Sequence, residues 1–151
     1  MDKQTKSGMP VDESKYSFTI PRTDEPREKI LKLGAMITDR IGKVTGNDPE
    51  YWGLASVVTD EMADVALKMK VRKPKTTAQI AALTGKSEED LEKLLTEMAY
   101  IGLVEYNWEN LDGKNPNHEK RWTLPQFVPG SAEFLNMRQS QIDEHPEVAA
   151  F

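Results

Sequence analysis

The chain has 151 residues, 25 acidic side chains against 20 basic ones, a formal charge of −5 and a pI near 5.1. This length suits one domain with a core and is too short for two independent catalytic domains. Cysteine is absent, which excludes disulfides, thiolate metal sites, iron–sulfur ligation and a cysteine nucleophile within the chain, and the acidic balance disfavours nucleic acid as a partner.

The first residues, to about Ser14, are polar and mixed in charge, with no apolar run to serve as a signal peptide or membrane span. They predict a disordered arm over 1–15, no membrane partner and a cytoplasmic location. Tyr16, Phe18 and Ile20 then alternate with Ser17 and Thr19, the period of a half-buried strand. Pro26 suits the first turn of a helix, and Ile30, Leu33, Ile37, Ile41 and Val44 give it one apolar face up to Gly46. Asp48 and Pro49 repeat the start signal for a second long helix, with Trp52 near its beginning and a stripe of Leu54, Val58, Met62, Val65 and Met69.

Lys73, Pro74 and Lys75 break that helix, and Thr77 is placed to cap a short one running through Ile80 and Leu83 to the turn at Thr84 and Gly85. Ser87, with Asp90 three residues on, resembles a capping box and starts a third helix, lined by Leu91, Leu94, Leu95, Met98 and Ile101 and stopped by Gly102. Helix, tight turn and helix in this order form a helix-turn-helix. Val104, Tyr106 and Trp108 follow in alternation, then a loop rich in Asn, Asp, Gly and Pro, then a second strand over His118–Leu124. The hairpin turns the motif into a winged helix. The fold class expected is mainly α with a small antiparallel β-hairpin: a helical winged-helix domain over 16–130 that includes the long N-terminal helices, and a C-terminal helical extension over 131–151. That extension carries a helix capped by Ser131, with Phe134, Leu135 and Ile142, and an opening turn at Pro146 whose apolar residues Val148 and Phe151 break off in mid-pattern. Such a start is expected to fray here and to lead into further domains of a longer parent.

The stretches SFTIPRTDEPREKI, DPEYWGLASVVTDEMADVALKMKVRKPKT, IGLVEYNWEN and LPQFVPGSAEF resemble the N-terminal region of flavin- and iron–sulfur-containing pyridine nucleotide-disulfide oxidoreductases of anaerobic bacteria. The resemblance implies a parent enzyme that moves electrons between NAD(P)H, FAD and iron–sulfur clusters. Its cysteine clusters and glycine-rich fingerprints lie C-terminal to this region, so no catalytic, cofactor or metal residue is carried over to this chain.

In a DNA-binding winged helix the third helix would enter the major groove. Its first turn here holds Glu88, Glu89 and Asp90, which phosphates would repel and which suit a helix N-terminus on dipole grounds alone. Lys73, Lys75, Lys86, Lys120 and Arg121 are the cations that a regulator binding DNA would use. His118, with Glu119 and Asp112, lacks the second imidazole that a metal site would need, and Met36, Met62, Met69 and Met98 fall on apolar stripes as core filler. The function expected is therefore an accessory domain that packs against the remaining domains of the parent oxidoreductase or a partner protein, with Trp108, Trp122, Phe127, Phe134 and Phe151 as candidate anchors. A transcriptional regulator is the alternative.

Overall fold

The computed structural model describes residues 14, 18–38, 43–127, 130 and 132–149. The arm over 1–15, apart from Ser14, and Tyr16, Ile41, Ser131 and Phe151 lie outside them. Of the strand expected near the start, Phe18–Ile20 follows an irregular path instead. Ile20 is nonetheless buried, and its carbonyl accepts from the Arg22 N–H in a tight turn rather than from a neighbouring strand.

The first helix, α1 (Glu28–Ile37), begins two residues after Pro26, with Arg27 as its N-cap. Arg27 fixes this start from a distance. Its N–H donates to the Tyr51 hydroxyl at 2.9 Å, and its guanidinium donates to Asp60 and to the Ala55 and Val58 carbonyls. These last two carbonyls belong to a turn that the apolar stripe alone does not reveal. The expected second long helix is in fact two, α2 (Pro49–Ala55) and α3 (Asp60–Met69). Thr59 causes the break: its extended backbone and side chain, which accepts from the Met62 N–H, make it the N-cap of α3. Such a cap contributes about 1 kcal/mol. Leu54, Val58, Met62, Val65 and Met69 are all buried on either side of the turn, and α1 packs against both helices.

After α3 come β1 (Lys75–Thr76), α4 (Thr77–Thr84), α5 (Glu88–Ile101), β2 (Glu105–Asn107) and β3 (Arg121–Thr123). The cap of α4 is Thr76 rather than Thr77. Its hydroxyl accepts from the Gln79 N–H while the Gln79 side chain accepts from the Thr76 N–H, a reciprocal pair that closes the first turn. Ser87 caps α5 as its sequence suggests. The strands form an antiparallel sheet in the order β1-β3-β2, with Tyr106 opposite Trp122 and Lys75 opposite Trp122 on the other side. The second hairpin strand is shorter than the expected His118–Leu124, because His118 has a φ of 50° and Leu124 leaves the ladder for a bridge to Val71.

Gly102 ends α5 with a φ of 94°, and any Cβ there would strike the backbone of Phe134. Glycine thus lets the C-terminal segment lie directly on the end of α5. That segment holds two short helices, α6 (Ala132–Leu135) and α7 (Gln139–Glu144), instead of one, followed by a 3₁₀ turn over Pro146–Ala149. The apolar start at Pro146 is not left open. Val148 is wholly buried, its carbonyl accepts from Asn136, and its turn packs against α2, so it shares one core with Leu135, Trp52 and Trp122. Among the described residues the fold is mainly helical with a small three-stranded antiparallel sheet, and no helix is long and apolar enough to cross a membrane.

Candidate functional site

The loop between β2 and β3 is built around one side chain. Asn115, 3% exposed, donates from Nδ2 to the Glu109 and Glu119 carbonyls and accepts the Glu119 N–H at Oδ1, while its own N–H donates to Asn110 Oδ1. The two arms of the loop are thereby clamped together. Further along, the His118 N–H donates to the Asn115 carbonyl, and its ring Nδ1 lies 3.1 Å from the Trp108 carbonyl oxygen. At the tip, the Asp112 carboxylate accepts the Lys114 N–H and faces Arg121. The Lys114 bond, and then the positive charge of Arg121, holds its carboxyl below the ordinary aspartate range against the opposing effect of burial.

This clamped hairpin presents apolar surface to solvent. Leu111 is 91% exposed, Trp108 50% and Tyr106 45%. The Tyr106 and Trp108 rings meet edge to face at 5.5 Å, and with Leu111, Glu109 and His118 they line a shallow depression of about 520 Å³. Behind it, Tyr106 lies 5.0 Å from the Trp122 ring, and the Lys120 ammonium sits 4.4 Å over Tyr106 and 4.2 Å over Trp122. The same ammonium bonds Glu92 of α5 at 2.8 Å, and the other Glu92 oxygen accepts from Thr77, whose hydroxyl accepts the Trp122 indole N–H. Burial works to raise the Glu92 carboxyl, but the bonds from Lys120 and Thr77 outweigh it and hold the group below its ordinary value.

The five aromatic candidates thus separate. Trp108 is at the surface and Phe134 is half-buried, lining a depression on the other face of the sheet with Arg72 and Glu105. Trp122, at 0% exposure, and Phe127, at 6%, are committed to the chain's own core and present no ring to a partner. Phe151 lies outside the described residues. The residues that sequence reasoning passed over are Tyr106 and Leu111 beside Trp108, and the Thr77, Glu92 and Asn115 side chains that hold the surface from behind.

The five cations separate as well. Lys86 bonds Glu61 at 3.0 Å, Lys120 bonds Glu92, and Arg121 faces Asp112 at 3.8 Å. Lys75 donates to the Met69 carbonyl at 2.6 Å, and burial, followed by repulsion from Lys73 and Lys70, holds its ammonium below the ordinary lysine range. Lys73 is the one that stands exposed at the turn before β1. No group of three or more His, Asp or Glu side chains able to hold a metal ion occurs among the described residues. No protein-family model matches the chain, and comparisons with curated proteins and with solved structures return no match.

Proposed function

We propose that this chain is a non-catalytic winged-helix domain that binds protein, packing against a partner or against other domains of a parent resembling an FAD- and iron–sulfur-containing NAD(P)H oxidoreductase. The winged-helix reading is supported by the order helix, β1, α4, α5, β2, β3 and by the sheet order β1-β3-β2, which inserts the second hairpin strand between the other two. One observation carries the functional reading. The wing exposes Tyr106 of β2 and, on its clamped loop, Trp108 and Leu111, while Lys86, Lys120 and Arg121, the nearby cations that a phosphate backbone would need, face carboxylates of the chain itself. Exposed aromatics on a rigid support are the usual anchors of protein interfaces, whereas duplex binding draws most of its affinity from cations available to phosphates.

Fluorescence anisotropy with random-sequence duplexes at low salt tests this reading. The expected result is weak binding; submicromolar affinity that falls steeply with added salt would replace it with the regulator reading.

A further inference from the structure

The charge around the wing surface indicates what covers it. From β2 to β3 the acidic side chains are Glu105, Glu109, Asp112 and Glu119, and the cations are Lys114, Lys120 and Arg121. Arg121 and Lys114 attend Asp112, and Lys120 is taken by Glu92 from α5. Glu105 lines the opposite face with Arg72. This leaves Glu109, in the wall of the aromatic depression, and Glu119 with no salt bridge to any described cation.

The negative surface continues onto α5. Glu88 and Glu89 lie one helical turn before Glu92, on the same side of the helix, and Glu92 reaches the wing through Lys120. Glu89 meets Lys93 only at 3.6 Å and in full solvent, where such a pair is largely screened. The Glu92–Lys120 bridge thus links α5, one turn after these carboxylates, to Tyr106, whose ring meets the exposed Trp108.

We infer that the surface of the wing, together with the start of α5 that Lys120 links to it through Glu92, docks a cationic segment of a partner protein, with an apolar side chain seated on Trp108, Tyr106 and Leu111 and lysine or arginine side chains set against Glu109, Glu88 and Glu89. A cation beside the exposed aromatic faces gains from the ring quadrupole as well as from the carboxylates. An acidic or neutral segment gains only the apolar contact. This inference rests on the protein-binding reading and adds the chemistry of the partner.

The test is amide chemical-shift mapping on the intact chain with three synthetic peptides that share a leucine–tryptophan centre and carry flanking lysines, glutamines or glutamates. The lysine peptide should move the amides of Tyr106, Trp108, Leu111 and Glu88–Glu92 and bind at least about tenfold more tightly than the glutamate peptide at low salt. Trp108→Ala should weaken it by about tenfold, as the loss of an interface anchor does. Glu109→Gln combined with Glu88→Gln, a change confined to solvated side chains, should weaken the lysine peptide severalfold and leave the glutamine peptide unaffected. If the glutamine or glutamate peptide binds the same amides as well as the lysine peptide does, the cationic partner is wrong while the protein-binding surface stands. If no peptide moves the wing amides, the inference falls; if duplex DNA moves them instead, the protein-binding reading falls with it.

Discussion

Replacing Trp122 with alanine, and Trp108 with alanine in parallel, separates a core ring from a surface ring in the same hairpin. Trp122 has no exposed surface and donates its indole N–H to Thr77 at 3.0 Å, so its removal leaves a cavity and a hydroxyl without its donor. Losses of this kind cost about 3–5 kcal/mol. In a domain whose total stability is about 5–15 kcal/mol, that removes about a fifth or more of the margin, and it lowers Tm by about 6–20 °C at about 2–4 °C per kcal/mol. Trp108 is half exposed and contributes chiefly its edge contact with Tyr106, so its loss should cost about 1 kcal/mol. Urea unfolding followed by far-UV circular dichroism measures both, with a lower midpoint and an unchanged slope as the signature of lost native stability. A cost below about 1 kcal/mol for Trp122→Ala, under the range for any core aromatic, or a cost for Trp108→Ala equal to that of Trp122→Ala, would refute this division of the two rings.

Asn115→Ala should cost about 1–3 kcal/mol, because the Glu109 and Glu119 backbone groups lose their partner; hydrogen exchange should show loss of protection confined to the loop over 108–119. Val148→Ala should destabilise by about 2 kcal/mol, since a wholly buried valine loses its methyl groups, and the Val148 amide, bonded to the His145 carbonyl, should exchange slowly in the unmodified chain. The Glu92 and Asp112 carboxyls lie below their ordinary values, so their contribution is complete above the unfolded carboxylate range and is lost as pH falls through the folded values. Stability should therefore decline on acidification, and thermal melts of Glu92→Gln should show a flatter acid limb. The purified chain should show no visible absorbance from flavin, haem or an iron–sulfur cluster; a stoichiometric flavin band would contradict the non-catalytic reading.

Helical spacing made most of the core legible. Ile30, Leu33 and Ile37, and likewise Leu91, Leu95 and Met98, fall on the buried faces that their three and four residue steps require. The break at Thr59 escaped the pattern because the apolar stripe stays in phase across it, and a capping threonine competes with helix only locally. The alternation of Tyr106 and Trp108 was also readable, but whether Trp122 packs inside or out depends on strand register and on Thr77 arriving from α4. Charge was legible as composition only. That Lys86, Lys120 and Arg121 turn toward Glu61, Glu92 and Asp112 follows from contacts between residues as many as 28 positions apart, which no local pattern encodes.

Side-chain oxidation by hydroxyl radicals reports directly on whether a protein covers Tyr106, Trp108 and Leu111, as proposed above. The chain alone and the assembly it forms in its native cells would be footprinted side by side, with exposed Leu83 of α4 as the reference. The protein-binding reading requires oxidation of Trp108 and Leu111 to fall severalfold in the assembly while Leu83 is unchanged. Equal oxidation of Trp108 in both states, or protection of Trp108 by duplex DNA alone, would contradict it.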